Sequence, residues 1–260
     1  MSMLKSAAVK TVKPLVSDRV WQRLRRAGGD AGPAWHRMDL TEIGRHFRTD
    51  KAGPGHHYTQ HYERHFGHLR DEAFTLLEIG IGGYAREGEG GKSLRMWKHF
   101  FAKAQIVGLD IQDKSFVEEP RITAYQGSQV DEEVLRRIVA ERGPLKVVVD
   151  DGSHRPEHIR ETFRLLFPLI EPDGLYAIED TQTSYWGRWG GDPDRHATHT
   201  TMALVKDLLD GLNYEEYPQA DYEPTYSDRH VIAVHAYHNL VIIEKGLNNE
   251  GSNTPIEKRG

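Results

Sequence analysis

From Thr75 onward, short apolar runs of strand length alternate with segments whose apolar residues recur at helical spacing. The strand-like runs are TLLEIGI, QIVGLDI, RITAYQG, LKVVVDD and GLYAIED, and the helical segments between them include SLRMWKHFFAK, DEEVLRRIVAE and PEHIRETFRLLFPLI. Such runs are typical of buried strands and amphipathic helices. Their alternation predicts a mostly parallel sheet with helices on both faces.

The chain closes on two strands that are too near each other to be parallel. A helix predicted between Thr200 and Leu212 has one apolar face, and the runs VIAVHAY and NLVIIEK follow it, separated by a turn at His238 and Asn239. Parallel strands need a crossover of roughly a dozen residues or more, so these two must pair antiparallel. We therefore expect an α/β fold whose seven-stranded, mostly parallel sheet ends in an antiparallel hairpin.

The composition limits the kind of protein. The 260 residues suit one α/β domain with appendages. The apolar runs are too short to cross a bilayer, and the basic N-terminus lacks an apolar signal segment. The absence of cysteine excludes thiolate metal ligands and fits a cytoplasmic protein, while a net charge of −5 argues against a nucleic-acid partner.

We expect three parts along the chain. Residues 1–60 form a helical appendage that covers a cofactor, with one or two basic helices within residues 1–35. Residues 61–246 form the α/β domain. Residues 247–260, which contain Asn, Gly, Ser and Pro, form a disordered tail.

Two of the predicted strands end abruptly in acidic residues. VVVDDGSH contains Asp150 and Asp151 with His154 one turn away, and IED ends in Glu179 and Asp180. Ligands of open α/β sheets bind at the carboxyl ends of the strands, and neighbouring strands lie roughly 4.8 Å apart. Carboxylates at that distance repel one another unless a cation or a proton lies between them. These acids favour a hard cation such as Mg²⁺, with His154 as a candidate base, and capping of the following elements is the structural alternative.

A glycine-rich turn follows the first strand, in the segment Glu78-Ile-Gly-Ile-Gly-Gly. Gly80 and Gly82 allow a tight turn and a close approach of the backbone to a ligand. The third glycine of the dinucleotide fingerprint is absent in register, and Glu78 suits a ligand with an ammonium or sulfonium group better than a pyrophosphate. A purely structural turn between strand and helix is the alternative.

Further candidate contacts to an adenosine follow the second and third strands. Asp110 closes QIVGLDI, where an acid accepts hydrogen bonds from ribose hydroxyls or caps a helix. Ser128 and Gln129 follow the third strand, where they read an adenine edge or belong to a plain loop.

A glycine-rich loop with three aromatic residues follows IED. Next to a strand-end site, such a loop forms either a lid that stacks rings on a sugar or another ring, or a surface loop pinned by its tryptophans. The three residues are Tyr185, Trp186 and Trp189.

Several of these motifs together resemble a known family. EIGIG, GLDI, VVVDDGSH, IED and the closing HNLVIIEKG are similar to those of class I S-adenosylmethionine-dependent methyltransferases. The resemblance is closest to the metal-dependent sugar O-methyltransferases, which include macrolide deoxysugar enzymes and a mycobacterial methylmannose polysaccharide 1-O-methyltransferase. It covers roughly residues 49–246, and it implies a Rossmann-like class I methyltransferase fold.

The resemblance also implies S-adenosylmethionine and Mg²⁺ as cofactors, and site residues to hold them. Asp151, Glu179 and Asp180 correspond to the metal ligands, and His154 corresponds to the base, so Asp151 and His154 are the expected catalytic residues. We also expect a homodimer. The expected cofactor contacts are Thr49, Lys51, Tyr58, Glu78, Gly80, Gly82, Asp110, Ser128, Gln129 and Asp150.

The acceptor is expected to be a mannose-type oligo- or polysaccharide, methylated at its 1-hydroxyl. The macrolide enzymes carry a substantial extra N-terminal domain, whereas a short segment precedes the predicted core here. The alternatives are a macrolide deoxysugar and a catechol-like small molecule. An NAD-dependent oxidoreductase and a non-catalytic adenosine-nucleotide module are more distant alternatives, because the closing hairpin and the acid cluster fit neither.

Overall fold

The computed structural model describes residues 38–219 and 221–255. Its helices are α1 Leu40–Phe47, α2 Thr59–Phe66, α3 Lys92–Phe100, α4 Glu132–Arg142, α5 Pro156–Leu166, α6 Thr201–Gly211 and α7 Tyr226–His230. Its strands are β1 Thr75–Ile79, β2 Gln105–Asp110, β3 Ile122–Gln126, β4 Leu145–Asp150, β5 Ile170–Glu179, β6 Val231–Tyr237 and β7 Leu240–Lys245. The helices expected within residues 1–35 and the end of the tail, residues 256–260, lie outside the described part.

The seven described strands form one sheet in the order β3-β2-β1-β4-β5-β7-β6. Neighbours from β3 to β5 pair parallel, whereas β7 pairs antiparallel with both β5 and β6. The predicted α/β class, the seven strands and the closing hairpin are confirmed. The strand order reverses between β1 and β4, which opens a crevice at the carboxyl ends of these two strands.

β5 begins earlier than the sequence pattern predicts. The helix expected to run to Ile170 ends at Leu166, and a 3₁₀ turn covers Phe167–Leu169. β5 therefore starts at Ile170 rather than at Gly174. Pro168 explains the break, because a proline cannot continue the hydrogen bonding of a helix.

Apolar side chains cover both faces of the sheet. On one face, Trp97 of α3 is fully buried, and its ring meets Tyr62 of α2 edge-on with 5.1 Å between centroids. On the other face, Phe163 of α5 packs against Tyr176 of β5. α2 is thus part of the core, and it spans the domain boundary expected between residues 60 and 61.

The beginning of the C-terminal tail is anchored. The side-chain amide of Asn248 donates to the carbonyls of Leu212 at 3.2 Å and Asp228 at 2.8 Å. The disorder expected from Leu247 therefore does not begin there. Within residues 38–219 and 221–255, no helix combines the length and the apolar character that crossing a membrane requires.

Candidate active site

The carboxyl ends of three adjacent strands bring the acidic residues together. β4 lies between β1 and β5, with Asp150 opposite both Ile79 of β1 and Ile178 of β5. Ile79 directly follows Glu78 in β1, and Ile178 directly precedes Glu179 in β5. The acids that this register gathers are Glu78, Asp150, Asp151, Glu179 and Asp180.

A buried lysine lies at the centre of three of these acids. Lys51 Nζ is 2.5 Å from Asp151 Oδ2, 2.9 Å from both oxygens of Glu179 and 3.2 Å from Glu78 Oε1. Burial alone would lower the pKa of Lys51, but the three carboxylates outweigh it and raise the pKa well above its usual value. Burial also raises the pKa of Glu78 to about 7, although Lys51 acts in the opposite direction. Lys51 is therefore an internal counter-ion, a role that its sequence context did not reveal.

Two tyrosines from the start of α2 hold the acids of β5. The Tyr62 hydroxyl donates to Glu179 Oε1 at 2.5 Å, and the Tyr58 hydroxyl donates to Asp180 Oδ1 at 2.8 Å. Burial and these neighbouring carboxylates raise the pKa of both tyrosines, so each keeps its donor proton. Sequence reasoning missed Tyr62, although residues four apart on a helix share one face, and this spacing from Tyr58 was the available signal.

His154 approaches the acids from the loop between β4 and α5. Ligand atoms of Asp151, His154 and Asp180 all lie within 4.8 Å of one another, and His154 Nε2 is 3.8 Å from Asp180 Oδ2. His154 and Asp180 have φ of 55° and 53°, in the left-handed region that non-glycine residues rarely adopt. Local strain of this kind is concentrated at functional sites.

This group fits a hard divalent cation such as Mg²⁺, because the Asp151 and Asp180 carboxylates supply oxygen ligands and the His154 imidazole lies beside them. It contains Asp151 and Asp180 from the predicted ligand set. Glu179 is instead engaged by Lys51 and Tyr62. His56 was not predicted at the site, but its Nδ1 lies 3.7 Å from Asp180 Oδ1. The role of Glu179 as a metal ligand stays a prediction.

A cavity of about 560 Å³ opens beside the acids. Gly80 bounds it with φ +87°, and a Cβ at that position would lie only 2.1 Å from the Asp151 carbonyl oxygen, so the turn requires glycine. Asp110 shapes the same wall, since its carboxylate accepts from the backbone N–H groups of Ile81 and Gln112, each at 2.9 Å. The predicted cofactor residues that line the cavity are Gly80, Gly82, Asp110, Ser128 and Gln129.

The other predicted cofactor residues lie behind the cavity wall. Asp150 is 1% exposed and accepts hydrogen bonds from Tyr176 at 3.0 Å and Gln129 at 3.2 Å. Burial raises the pKa of Asp150 to about 7. Asp150 thus supports Gln129 from beneath, and a direct contact of Asp150 to the cofactor stays a prediction. The remaining members of this buried group are Thr49, Lys51, Tyr58 and Glu78.

The aromatic loop after β5 borders His154. The ring of Trp189 meets the His154 imidazole nearly edge-on, with 5.8 Å between centroids and 67° between planes. Tyr185 and Trp186 are 42% and 43% exposed. The Arg188 guanidinium lies 5.6 Å from the Trp186 ring and 5.8 Å from the Trp189 ring, which ties the loop together. The loop can therefore offer ring faces to a ligand that reaches His154.

No protein-family model matches the sequence. The chain is 49% identical over 223 residues to demethylmacrocin O-methyltransferase of Streptomyces fradiae, covering 85% of this chain and 56% of that protein. It is 46% identical over 223 residues to mycinamicin VI 2''-O-methyltransferase of Micromonospora griseorubida, again covering 85% and 56%. The chain thus spans just over half the length of these curated relatives.

Solved structures show the same relationship. The MycE methyltransferase of the mycinamycin pathway, in complex with Mg and SAH, matches with a TM-score of 0.80 at 46% identity, over 82% of this chain and 55% of that one. Its complex with Mg, SAH and mycinamycin VI matches with a TM-score of 0.80 over 83% and 56%. At this identity and score the chain has the Rossmann-like methyltransferase fold, and the predicted fold class is confirmed.

The replacement Lys51→Met tests the counter-ion at the centre of the site. Without a divalent ion, we expect the free energy of unfolding to fall by about 3–5 kcal/mol, because three buried carboxylates lose their only ammonium partner. Mg²⁺ should then stabilise the variant more than it stabilises the wild type. Urea unfolding in chelator and in excess Mg²⁺ measures both effects.

Lys146→Met is the matched control for this variant. Lys146 lies at the amino end of β4, whereas the site lies at its carboxyl end, and it pairs with Asp173 at 2.5 Å, so its loss should leave the response to Mg²⁺ at the wild-type value. Equal stabilisation of Lys51→Met and the wild type by Mg²⁺ would show that Lys51 and the cation do not share the same carboxylates.

Proposed function

We propose that this chain transfers a methyl group from S-adenosylmethionine to a sugar hydroxyl of a glycosylated polyketide, with the help of a bound Mg²⁺ ion. One observation carries the proposal: the Asp151–His154–Asp180 group lies at the rim of a strand-end cavity. The support comes from the 46% identity to a methyltransferase whose structure contains Mg and SAH. An NAD-dependent reaction is a poorer fit, because it would give the Asp151–His154–Asp180 group no role.

The cavity fits the methyl donor. Gly80 and Gly82 keep side chains out of the first turn, so the backbone can approach a ligand closely. Asp110 uses one lone pair of each oxygen on the backbone, and carboxylate oxygens have further lone pairs for ribose hydroxyls. Gln129 is fixed by its bonds to Asp150 and to the N–H of Ser153, and it presents a rigid polar edge.

The donor set fits Mg²⁺. Asp151 and Asp180 would hold the ion, and Glu179 is the third proposed ligand. When bound, the ion would act as a Lewis acid that lowers the pKa of the acceptor hydroxyl, and it would also orient that hydroxyl. Tyr58 and Tyr62 keep the Asp180 and Glu179 carboxylates in place through their hydroxyl groups.

His154 is the proposed general base. Its Nε2 faces the acid group, 3.8 Å from Asp180 Oδ2. The imidazole takes the proton of the acceptor hydroxyl while the new C–O bond forms and the S–C bond of the donor breaks, which leaves S-adenosylhomocysteine. The Trp189 ring borders one side of the imidazole. The protein mainly supplies alignment, because the methyl group of a sulfonium is already electrophilic.

The proposed acceptor differs from the one expected from the sequence. The curated relatives are named for demethylmacrocin, for mycinamicin VI and, at 42% identity over 82% of this chain and 55% of the relative, for a rhamnosyl tetracenomycin of Streptomyces olivaceus. These names support a deoxysugar on a macrolide or related polyketide, and none of them supports the mannose polysaccharide. The alternative acceptor therefore replaces the first expectation. The homodimer and the cytoplasmic location stay predictions.

His154→Ala tests the base. Loss of a general base is expected to slow methyl transfer by about 10²–10⁴-fold, while the affinity for S-adenosylhomocysteine stays at the wild-type value. Radiolabelled methyl transfer and calorimetric titration measure the two quantities. The exposed His68→Ala is the control and should keep full activity. Chelator should abolish turnover and Mg²⁺ should restore it; full turnover in excess chelator would refute the metal role.

A panel of acceptors tests the substrate class. With labelled S-adenosylmethionine and Mg²⁺, we expect label on a macrolide that bears an unmethylated deoxysugar and none on mannose oligosaccharides or a catechol. Two neighbouring oxygens that can chelate the ion are common to all three acceptors, so the expected selectivity follows from the substrates for which the relatives are named. Labelling of the mannose oligosaccharides alone would overturn this assignment.

A further inference from the structure

A second group of potential metal ligands lies away from the proposed active site. It consists of His65 on α2, His235 on β6 and Glu244 on β7. Glu244 Oε1 is 2.8 Å from His235 Nε2 and 3.6 Å from His65 Nδ1, and all three ligand atoms lie within 4.8 Å of one another. The helix α2 and the closing hairpin, which are distant from each other in sequence, therefore bring three donor atoms to one small volume.

The geometry of His65 leaves its Nδ1 free to face the other two residues. Its Nε2 lies 2.8 Å from the Tyr237 hydroxyl, which fixes the orientation of the ring. Tyr237 is held in turn by stacking on His61, with 3.7 Å between ring centroids. Histidine ligands of metals usually have such a hydrogen bond on the second ring nitrogen, because it sets the tautomer and the ring direction.

This group is separate from the cluster around Lys51. In the β5–β7 pairing Leu240 lies opposite Glu179, whereas Glu244 lies opposite Leu175. Four residues along a strand correspond to roughly 13 Å. An ion bound at Glu244 therefore cannot share ligands with one bound at Asp151 and Asp180.

We propose that His65, His235 and Glu244 form a second metal site, for a divalent transition-metal ion such as Zn²⁺. Ligands about 2.1 Å from a tetrahedral ion are roughly 3.4 Å apart, close to the spacing of these three atoms. Imidazole nitrogens suit Zn²⁺, whereas oxygen donors suit Mg²⁺, so the two sites select different ions. The Glu244 side chain is 35% exposed, so water can complete the coordination.

The ion would connect α2 to the closing hairpin. Tyr62 lies on α2 and bonds to Glu179, and Tyr58, directly before α2, bonds to Asp180. An ion bound to His65 would therefore hold the same helix that positions these two carboxylates. The site is therefore assigned a structural role: it stabilises the helix that supports the active site, near the C-terminal end of that helix.

Zinc binding in the full-length protein tests the proposal. Equilibrium dialysis against Zn²⁺ is carried out in excess Mg²⁺, which occupies the oxygen site, on the wild type and on three variants. The wild type is expected to bind one more equivalent of Zn²⁺ than His235→Ala. His230→Ala, which replaces a half-buried histidine one residue before β6, and His154→Ala, in the proposed active site, should both keep that equivalent. Histidines outside the described residues contribute equally to every variant.

Tyr237→Phe gives a finer test. It removes the hydroxyl that orients His65 but no ligand, so Zn²⁺ affinity should weaken by about 10–100-fold at unchanged stoichiometry. His235→Ala should still transfer methyl groups with Mg²⁺, which would confirm that the two sites are separate. Equal zinc stoichiometry in the wild type and His235→Ala, or loss of the equivalent in His154→Ala but not in His235→Ala, would overturn the proposal.

Discussion

Three carboxylates, those of the buried Glu78 and Glu179 and of the partly exposed Asp151, surround one buried ammonium group, that of Lys51. Little water reaches the two glutamates, so their charges can persist only beside a cation. This constraint requires the segment before β1 to fold over the ends of β1, β4 and β5. The same segment then leads into α2, whose tyrosines fix the acids on their other side.

The position of each element can largely be predicted from the sequence, because buried apolar residues recur at the spacing of strands and helices. The order of the strands, the helices α3 to α6, the hairpin, and the strand ends at Asp150 and Glu179 were predicted, because parallel strands are apolar throughout and stop where they reach the ligand crevice, whereas the short helix α7 was not. The start of β5 was misplaced because Gly174 resembles a strand boundary, whereas Pro168 is what ends the helix.

The division of labour among the acids could not be predicted in the same way. Asp150 and Asp151 are adjacent in sequence, yet one bonds to Tyr176 inside the protein and the other to Lys51. The register of β4 decides whether Asp150 or Asp151 faces the cavity. The cation that neutralises Asp151 is Lys51, a residue 100 positions earlier in the chain. The mannose acceptor was inferred from the length of the segment before the core, a feature that contacts no substrate, and the relatives point to a polyketide sugar instead.

The central claim is that Asp151 and Asp180 hold a divalent ion beside the methyl-donor cavity. Binding of Mn²⁺, a paramagnetic substitute for Mg²⁺, to the wild type and Asp180→Asn tests it directly, by electron paramagnetic resonance in the presence of S-adenosylhomocysteine. With Zn²⁺ present to fill the His65–His235–Glu244 site, we expect one bound Mn²⁺ in the wild type and an affinity at least about tenfold lower in the variant, with unchanged S-adenosylhomocysteine binding. Equal Mn²⁺ affinity in the two proteins would contradict it.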